Sequence, residues 1–221
     1  MSIKARCRES PGDVVMVLSL EDLRAEAARR LTGSRLAHVE AVAETVGGIA
    51  AAGGWPSAAA ALALRAAWIH DAWKDEPRDA WIEVIEAAGW RPDPWAVAHG
   101  PHLLHAQAAA AWAVVRGESD PHLLAAVRHH PTAHPSWGPV GKLLYVADFC
   151  EPTRPFAGER DTAALRARAG EGEEGLAEAA RGVLALRLAW LIEGVRPIHP
   201  DSWEAWNAWA GARPGPRGAA P

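Results

Sequence analysis

Apolar residues recur along this chain at three- and four-residue spacing, and the two-residue alternation of a half-buried strand is confined to a short run at 14–18. The pattern predicts an all-α fold. Start and stop residues cut it into elements. Ser19 stands before "LEDLRAEAARRL" with Asp22 three residues on, the spacing of a capping box, and Gly33 is expected to stop that helix. Ser34 would then cap "RLAHVEAVAETVGGIAAA", which Gly53, Gly54 and Pro56 bring to an end. A third helix is expected from Ser57 to Trp73, and others at 78–88, 101–116, 121–130, 138–149, 173–193 and 201–210. Segment 151–172, rich in Pro, Gly and charge, reads as a surface loop with room for one short helix. The layout is an N-terminal extension at 1–19, one helical domain over 20–210, and a disordered tail, "GARPGPRGAAP", at 211–221.

Composition narrows the picture. The 221 residues are 49% hydrophobic and 23% charged, the balance of a folded domain long enough to close over a sizeable core. A formal net charge of −4 gives no footprint for nucleic acid or an anionic membrane, while local basic sites for small phosphates are compatible with it. Cys7 and Cys150 stand far apart without CxxC spacing, so no disulfide scaffold or zinc ribbon is expected. "VVMVLSL" at 14–20 is too short for a membrane span or a signal-peptide core, and the expected location is the cytoplasm.

The chemistry begins at "AAWIHDAWKDEP", residues 66–77, an alanine- and tryptophan-rich stretch that carries His70, Asp71 and Lys74 through its middle. Burying polar groups without partners costs roughly 2–7 kcal/mol each, so something must compensate them. An imidazole and an adjacent carboxylate, about 100° apart around a helix, can converge on one divalent metal from the rim of that face. Two ligands do not make a stable site. His38 in "RLAHVEAV" and Asp148 in "LLYVADFCEP" are apt partners, each a lone polar group on an otherwise apolar segment. Lys74 follows Asp71 by three residues and Arg35 precedes His38 by three, so each metal-bearing helix carries a cation one turn away. A site for a polyphosphate needs such cations; a purely structural metal site does not.

In order along the chain, "RLAHVEAV", "WIHDAWKD", "AHGPHLLHA", "VRHHPTAHP", "KLLYVADFCEPTRPFAG" and "GVRPIHPDSWEAWN" resemble the YqeK family of symmetrical bis(5′-nucleosyl)-tetraphosphatases, within the HD superfamily of metal-dependent phosphohydrolases. The resemblance covers about residues 20–210. It implies a compact all-helical HD domain that binds iron, or a similar divalent metal such as Mn, Co, Ni or Zn, and splits diadenosine tetraphosphate into two ADP. Carried over, it implies His38, His70, Asp71 and Asp148 as metal ligands and Arg35 and Lys74 as phosphate contacts. His99 and His130 match further active-site positions, and Arg154 and Arg196-Pro197-Ile198-His199 match parts that close around the nucleotide. Either histidine would assist proton transfer, contact the nucleotide or bind a second metal. Rival expectations are another HD-type nucleotide phosphohydrolase and a non-catalytic nucleotide sensor.

Two departures bear on the pocket. Pro131 stands where the family commonly has threonine, so a hydroxyl or amide contact there is lost or moved to Thr132. The chain also holds 12 tryptophans, of which Trp68, Trp73 and Trp137 lie near candidate site residues in sequence. Trp203, Trp206 and Trp209 form a stripe better suited to core packing or a homodimer contact than to base stacking. His102, His105, His122, His129 and His134 are expected at the surface or behind the site, with no third partner evident for the His102/His105 pair.

Overall fold

In a computed structural model that describes residues 18–154 and 161–211, the first helix, α1 (Leu20–Arg30), starts where cap chemistry requires. Ser19 Oγ accepts from the Asp22 amide at 3.1 Å, and Asp22 Oδ2 accepts from the Ser19 amide at 2.9 Å, closing the capping box. Next come α2 (Gly33–Ala52), α3 (Ser57–Ile69), α4 (Arg78–Ala87), α5 (Pro94–His99), a 3-10 turn (Pro101–Leu103) and α6 (Leu104–Val115). The series ends with α7 (Pro121–His129), α8 (Pro139–Cys150), α9 (Thr162–Ala169), α10 (Gly172–Glu193) and α11 (Pro200–Ala210). The chain is all-α, with no strand among the described residues. Cys7, the alternating run up to residue 17 and the tail from 212 lie outside the described residues. No described helix is long and apolar enough to cross a membrane.

Helix α8 forms the middle of the core, packed against α2, α3, α7, α9 and α10. Every residue from Leu143 to Cys150 is buried, which demands apolar side chains all round and makes Asp148 conspicuous among them. Gly141 is needed because the Trp137 indole fills the space beside it: a Cβ would lie 2.5 Å from the ring's Cγ and Cδ2. Alanine would gain about 1 kcal/mol of helix propensity there but lose about 1–3 kcal/mol to overpacking of a buried ring. Gly141→Ala should therefore lower the melting temperature, and a melt at or above wild type would show that the indole moves aside freely.

Three elements depart from the expected boundaries, and two of the departures shape the site. α2 begins at Gly33, which was expected to stop α1, because Asp75 Oδ2 accepts from both the amide and the hydroxyl of Thr32 at 3.1 Å. This contact ties the start of α2 to the turn after α3. α3 ends at Ile69 rather than Trp73, and the chain continues in tightened turns such as Ala72 N to Ile69 O and Lys74 N to Asp71 O, both 2.9 Å. α5 has no counterpart among the expected helices, although Asp93 caps it and Pro94 sits at its first turn, a combination suited to helix starts.

The tryptophans near the candidate residues are core material. Trp68, Trp73 and Trp137 are all buried. The α11 stripe divides as a three-residue spacing must when it drifts around a 3.6-residue helix: Trp209 is buried, Trp206 packs partly against the core, and Trp203 is 53% exposed.

Candidate metal centre

His38 from α2, His70 and Asp71 at the end of α3, and Asp148 from α8 meet in one buried cluster, and His105 of α6 and His130 at the end of α7 complete it. Asp148 Oδ1 lies 3.2 Å from His38 Nε2 and 3.9 Å from His70 Nε2. Asp71 Oδ1 lies 3.1 Å from His105 Nε2 and 3.5 Å from His130 Nε2. Its Oδ2 lies 3.9 Å from His70 Nε2 and 4.0 Å from His38 Nε2.

The backs of the four rings explain why their fronts point inward. His70 Nδ1 donates to the Ala67 carbonyl at 2.7 Å, His105 Nδ1 to that of His102 at 2.5 Å, and His130 Nδ1 to that of Val127 at 2.9 Å. A carbonyl can only accept, so each Nδ1 carries the proton and each Nε2 presents a bare lone pair. His38 is held the same way by a buried carboxyl, its Nδ1 lying 3.0 Å from Glu151 Oε1. Such outer contacts orient metal-binding imidazoles and fix their tautomer.

A divalent cation fits this donor set on two observations. His70 Nε2 is buried with no hydrogen-bond partner, an arrangement that costs free energy unless a cation takes the lone pair. The unprotonated Nε2 atoms of His105 and His130 face one another at 3.3 Å, a repulsive pairing that Lys74 Nζ, 3.1 Å from His105 Nε2, relieves on one side only. His38, His70 and Asp148 form one group of converging ligand atoms, and His70, Asp71 and His130 form another. Imidazole with carboxylate suits Fe, Mn, Co, Ni or Zn.

Charges agree with that fit. Burial drives His70 down to about 3 and His105 down to about 4, so both stay neutral at physiological pH. For Asp71, burial favours the neutral acid, but the neighbouring His70 and Lys74 outweigh it and hold the carboxyl well below its usual range. Asp148 behaves likewise through Arg154, His38 and Arg187. Burial alone would lower His38, yet Asp148 and Glu151 raise it above its ordinary value. A cation must therefore displace a proton from His38 when pH lies below that raised pKa, and none above it. Metal affinity should fall about tenfold per pH unit on the acidic side and level off on the alkaline side; Mn²⁺ titrations of metal-stripped protein across pH 5–8 that run flat would contradict this.

Positive groups ring the cluster at its solvent edge. Lys74 Nζ donates to Asp71 Oδ1 at 3.2 Å and lies 3.1 Å from His105 Nε2. Arg35 Nη1 lies 3.6 Å from Asp71 Oδ2, and its Nε lies 3.5 Å from Asp75 Oδ1. Arg154 Nη2 donates to Asp148 Oδ1 at 2.5 Å and sits 3.3 Å from His38 Nε2. The side chains of Lys74, Arg35 and Arg154 are 33%, 32% and 27% exposed, so each reaches both the cluster and bulk water.

The remaining candidates lie apart from the cluster. His99 is exposed at the end of α5, its ring 5.2 Å from that of Trp95. His199 caps α11, 4.8 Å from the same indole, with Nε2 3.5 Å from Asp93. Arg196 stacks on Trp190 at 3.6 Å, Pro197 is exposed, and Ile198 packs partly against the core. His199 lines a polar cleft of about 30 Å³ with Asp93, Gln107, Thr132 and Asp201, and Leu104 and Pro131 in its wall adjoin His105 and His130 in sequence. Thr132 does not take up the missing threonine's contact outward: its buried hydroxyl lies 3.2 Å from the His129 carbonyl and 3.1 Å from that of Ala133, and its one proton is shared between them. His102 and His122 are exposed, and His129 pairs with Asp201 at 2.8 Å.

Of the two positions expected for His105, at the surface or behind the site, the fold takes the second: it is 2% exposed, with Nε2 3.1 Å from Asp71 Oδ1. The sequence signal for it is a histidine that shares the apolar run "LHAQAAAAWAVV" with one other polar residue, Gln107. Arg187 of α10, also on Asp148, carried no sequence signal.

Comparison with known proteins agrees with the fold and with a hydrolase of the HD type. Over 192 residues the chain is 28% identical to the symmetrical bis(5′-nucleosyl)-tetraphosphatase of Bacillus subtilis (strain 168), covering 86% of this chain and 97% of that protein. The protein of the same name from Halalkalibacterium halodurans is 31% identical over 112 residues, 49% of this chain and 56% of that one. The crystal structure of an HD superfamily hydrolase from Clostridium acetobutylicum, described as involved in NAD metabolism, matches with a TM-score of 0.76 at 25% identity, over 90% of this chain and 100% of that chain. No family model matches. The chain belongs to the HD superfamily of metal-dependent phosphohydrolases. Within it, the curated relatives that the chain resembles carry the name symmetrical bis(5′-nucleosyl)-tetraphosphatase.

Proposed function

We propose that this enzyme hydrolyses diadenosine tetraphosphate at its central bridge, water adding to one inner phosphorus and the bridging P–O bond breaking to leave two ADP. The observation that carries the proposal is the buried, unpartnered Nε2 of His70 among two carboxylates and three further inward-facing imidazole nitrogens, rimmed by three partly exposed cations. His38, His70, Asp71 and Asp148 are the proposed ligands, with His105 and His130 extending the set toward a second cation, and iron is the proposed metal. When bound, such a cation supplies Lewis acidity toward phosphate and water.

The chain's own residues do the rest. Lys74, Arg35 and Arg154 seat the polyphosphate and take up negative charge that builds on the bridging and leaving oxygens. Arg154 must release Asp148 Oδ1 to do so, which its partly exposed position permits. His130 is the better-placed histidine for a proton or ligand role beside the cluster; His99, with Arg196 to His199, belongs to the nucleoside end of the proposed site, around Trp95 and the cleft. The domain over 20–210 acts on a small nucleotide, and a cytoplasmic setting is part of the same proposal.

The test is direct. Metal-stripped protein reloaded with Fe²⁺, Mn²⁺ or Co²⁺ is incubated with diadenosine tetraphosphate and the products are separated. Two ADP are expected. AMP with ATP would refute symmetrical cleavage, and tight binding without product would support the nucleotide-sensor alternative.

A further inference from the structure

The guanidinium of Arg187, from α10, reaches two parts of the cluster at once. Its Nη2 donates to Asp148 Oδ2 at 2.9 Å, and its Nη1 donates to the carbonyl of Pro131 at 3.2 Å. One planar group thus joins the ligand-bearing end of α8 to the turn directly after His130. Aromatic faces hold it there: Cζ lies 4.9 Å from the Tyr145 ring centre and 5.3 Å from that of Phe149. Tyr145 is fully buried and burial lifts its hydroxyl to about 12, so that face remains neutral.

The two oxygens of Asp148 are sorted by this contact. Oδ2 is given to Arg187, while Oδ1 faces His38 Nε2 and His70 Nε2. We propose that Arg187 is a positioning residue for the metal centre, locking Asp148 with Oδ1 toward His38 and His70 and holding the His130 turn at a set distance from it. The proposal rests on the cluster being a cation site. Arg154 acts oppositely, because it occupies Oδ1 itself, the atom a cation would use.

Sign separates positioning from simple electrostatics. A fixed positive charge beside a metal site repels the incoming cation, so if charge were all Arg187 contributed, removing it would tighten metal binding. If it positions Asp148, removing it weakens binding, by about 10–100-fold as for other outer contacts of metal ligands. Lysine keeps the charge but offers one nitrogen without the planar fork, and cannot bridge both acceptors in the same way.

The experiment titrates Mn²⁺ into metal-stripped wild type, Arg187→Met, Arg187→Lys and Arg154→Ala, following free Mn²⁺ by electron paramagnetic resonance, with circular dichroism and tryptophan emission to verify folding. Arg187→Met should bind about 10–100-fold more weakly and Arg187→Lys should also be weakened, while Arg154→Ala binds at least as tightly as wild type. Folded Arg187 variants with wild-type or tighter affinity would overturn the proposal, as would loss of the fold in both, since Arg187 would then be only structural. Wild type that binds no Mn²⁺ would instead refute the cation site beneath it, a distinguishable failure.

Discussion

Replacing Asp71 with alanine should lower turnover of diadenosine tetraphosphate by about three orders of magnitude or more, because a metal centre contributes several kcal/mol and each 1.4 kcal/mol is tenfold. Its Oδ1 meets Lys74, His105 and His130, and its Oδ2 faces Arg35, His70 and His38. Removing it takes an oxygen from both halves of the ligand set and releases two cations from their shared anchor. Breaking a buried ion pair commonly costs 3–5 kcal/mol, but Lys74 and Arg35 are about a third exposed and can rehydrate, so the fold should survive. Asp71→Asn, which keeps the shape and removes the charge, should lose turnover similarly. Steady-state rates in metal-defined buffer, with metal content measured in parallel, decide the matter; near-wild-type turnover in a variant depleted of metal would sink the metal mechanism.

Stripping the metal should lower thermal stability. Six converging side chains, two of them anionic and one with an unpartnered lone pair, are assembled only in the folded state. A cation at a hundred times its dissociation constant would add about 2.7 kcal/mol by mass action. For a chain of this size that is roughly 5–11 °C in melting temperature. Calorimetry with and without a chelator, then with Mn²⁺ restored, should show a reversible shift of that order; identical melts would mean that the cluster is stabilised by its own ion pairs alone.

Much of the helix layout was legible because its signals are local. The Ser19 capping box and the Gly53 stop need only a few residues, and both are present. Boundaries failed where distant residues intervened. Asp75 captured Thr32 and let Gly33 open a helix, and the inward turns of His70 and Asp71 shortened α3. α5 leaves little trace in the pattern despite its Asp93-Pro94 start, because six residues are too few to show a helical period.

The candidate site divides in the same way. His38 and Asp148 stand out as lone polar groups in apolar segments and His70-Asp71 as an adjacent imidazole and carboxylate, and the family words lead to the same four residues; the fold brings them together. For His105 the sequence leaves the surface and a place behind the site equally open, since its partner Asp71 lies 34 positions earlier on another element. Arg187 could not be singled out at all: an arginine on a long amphipathic helix ordinarily faces solvent, and only the packing of α10 on α8 turns it onto Asp148.

By itself the amino-acid order determined where helices form and which polar groups would be costly to bury, because both depend on neighbours a turn or two away. Only the tertiary structure decided which imidazoles turn Nε2 inward, which carboxylate oxygen stays available and which arginine holds it. Those choices depend on how helices many residues apart are rotated against one another, and on the carbonyls and carboxyls that this rotation places behind each ring.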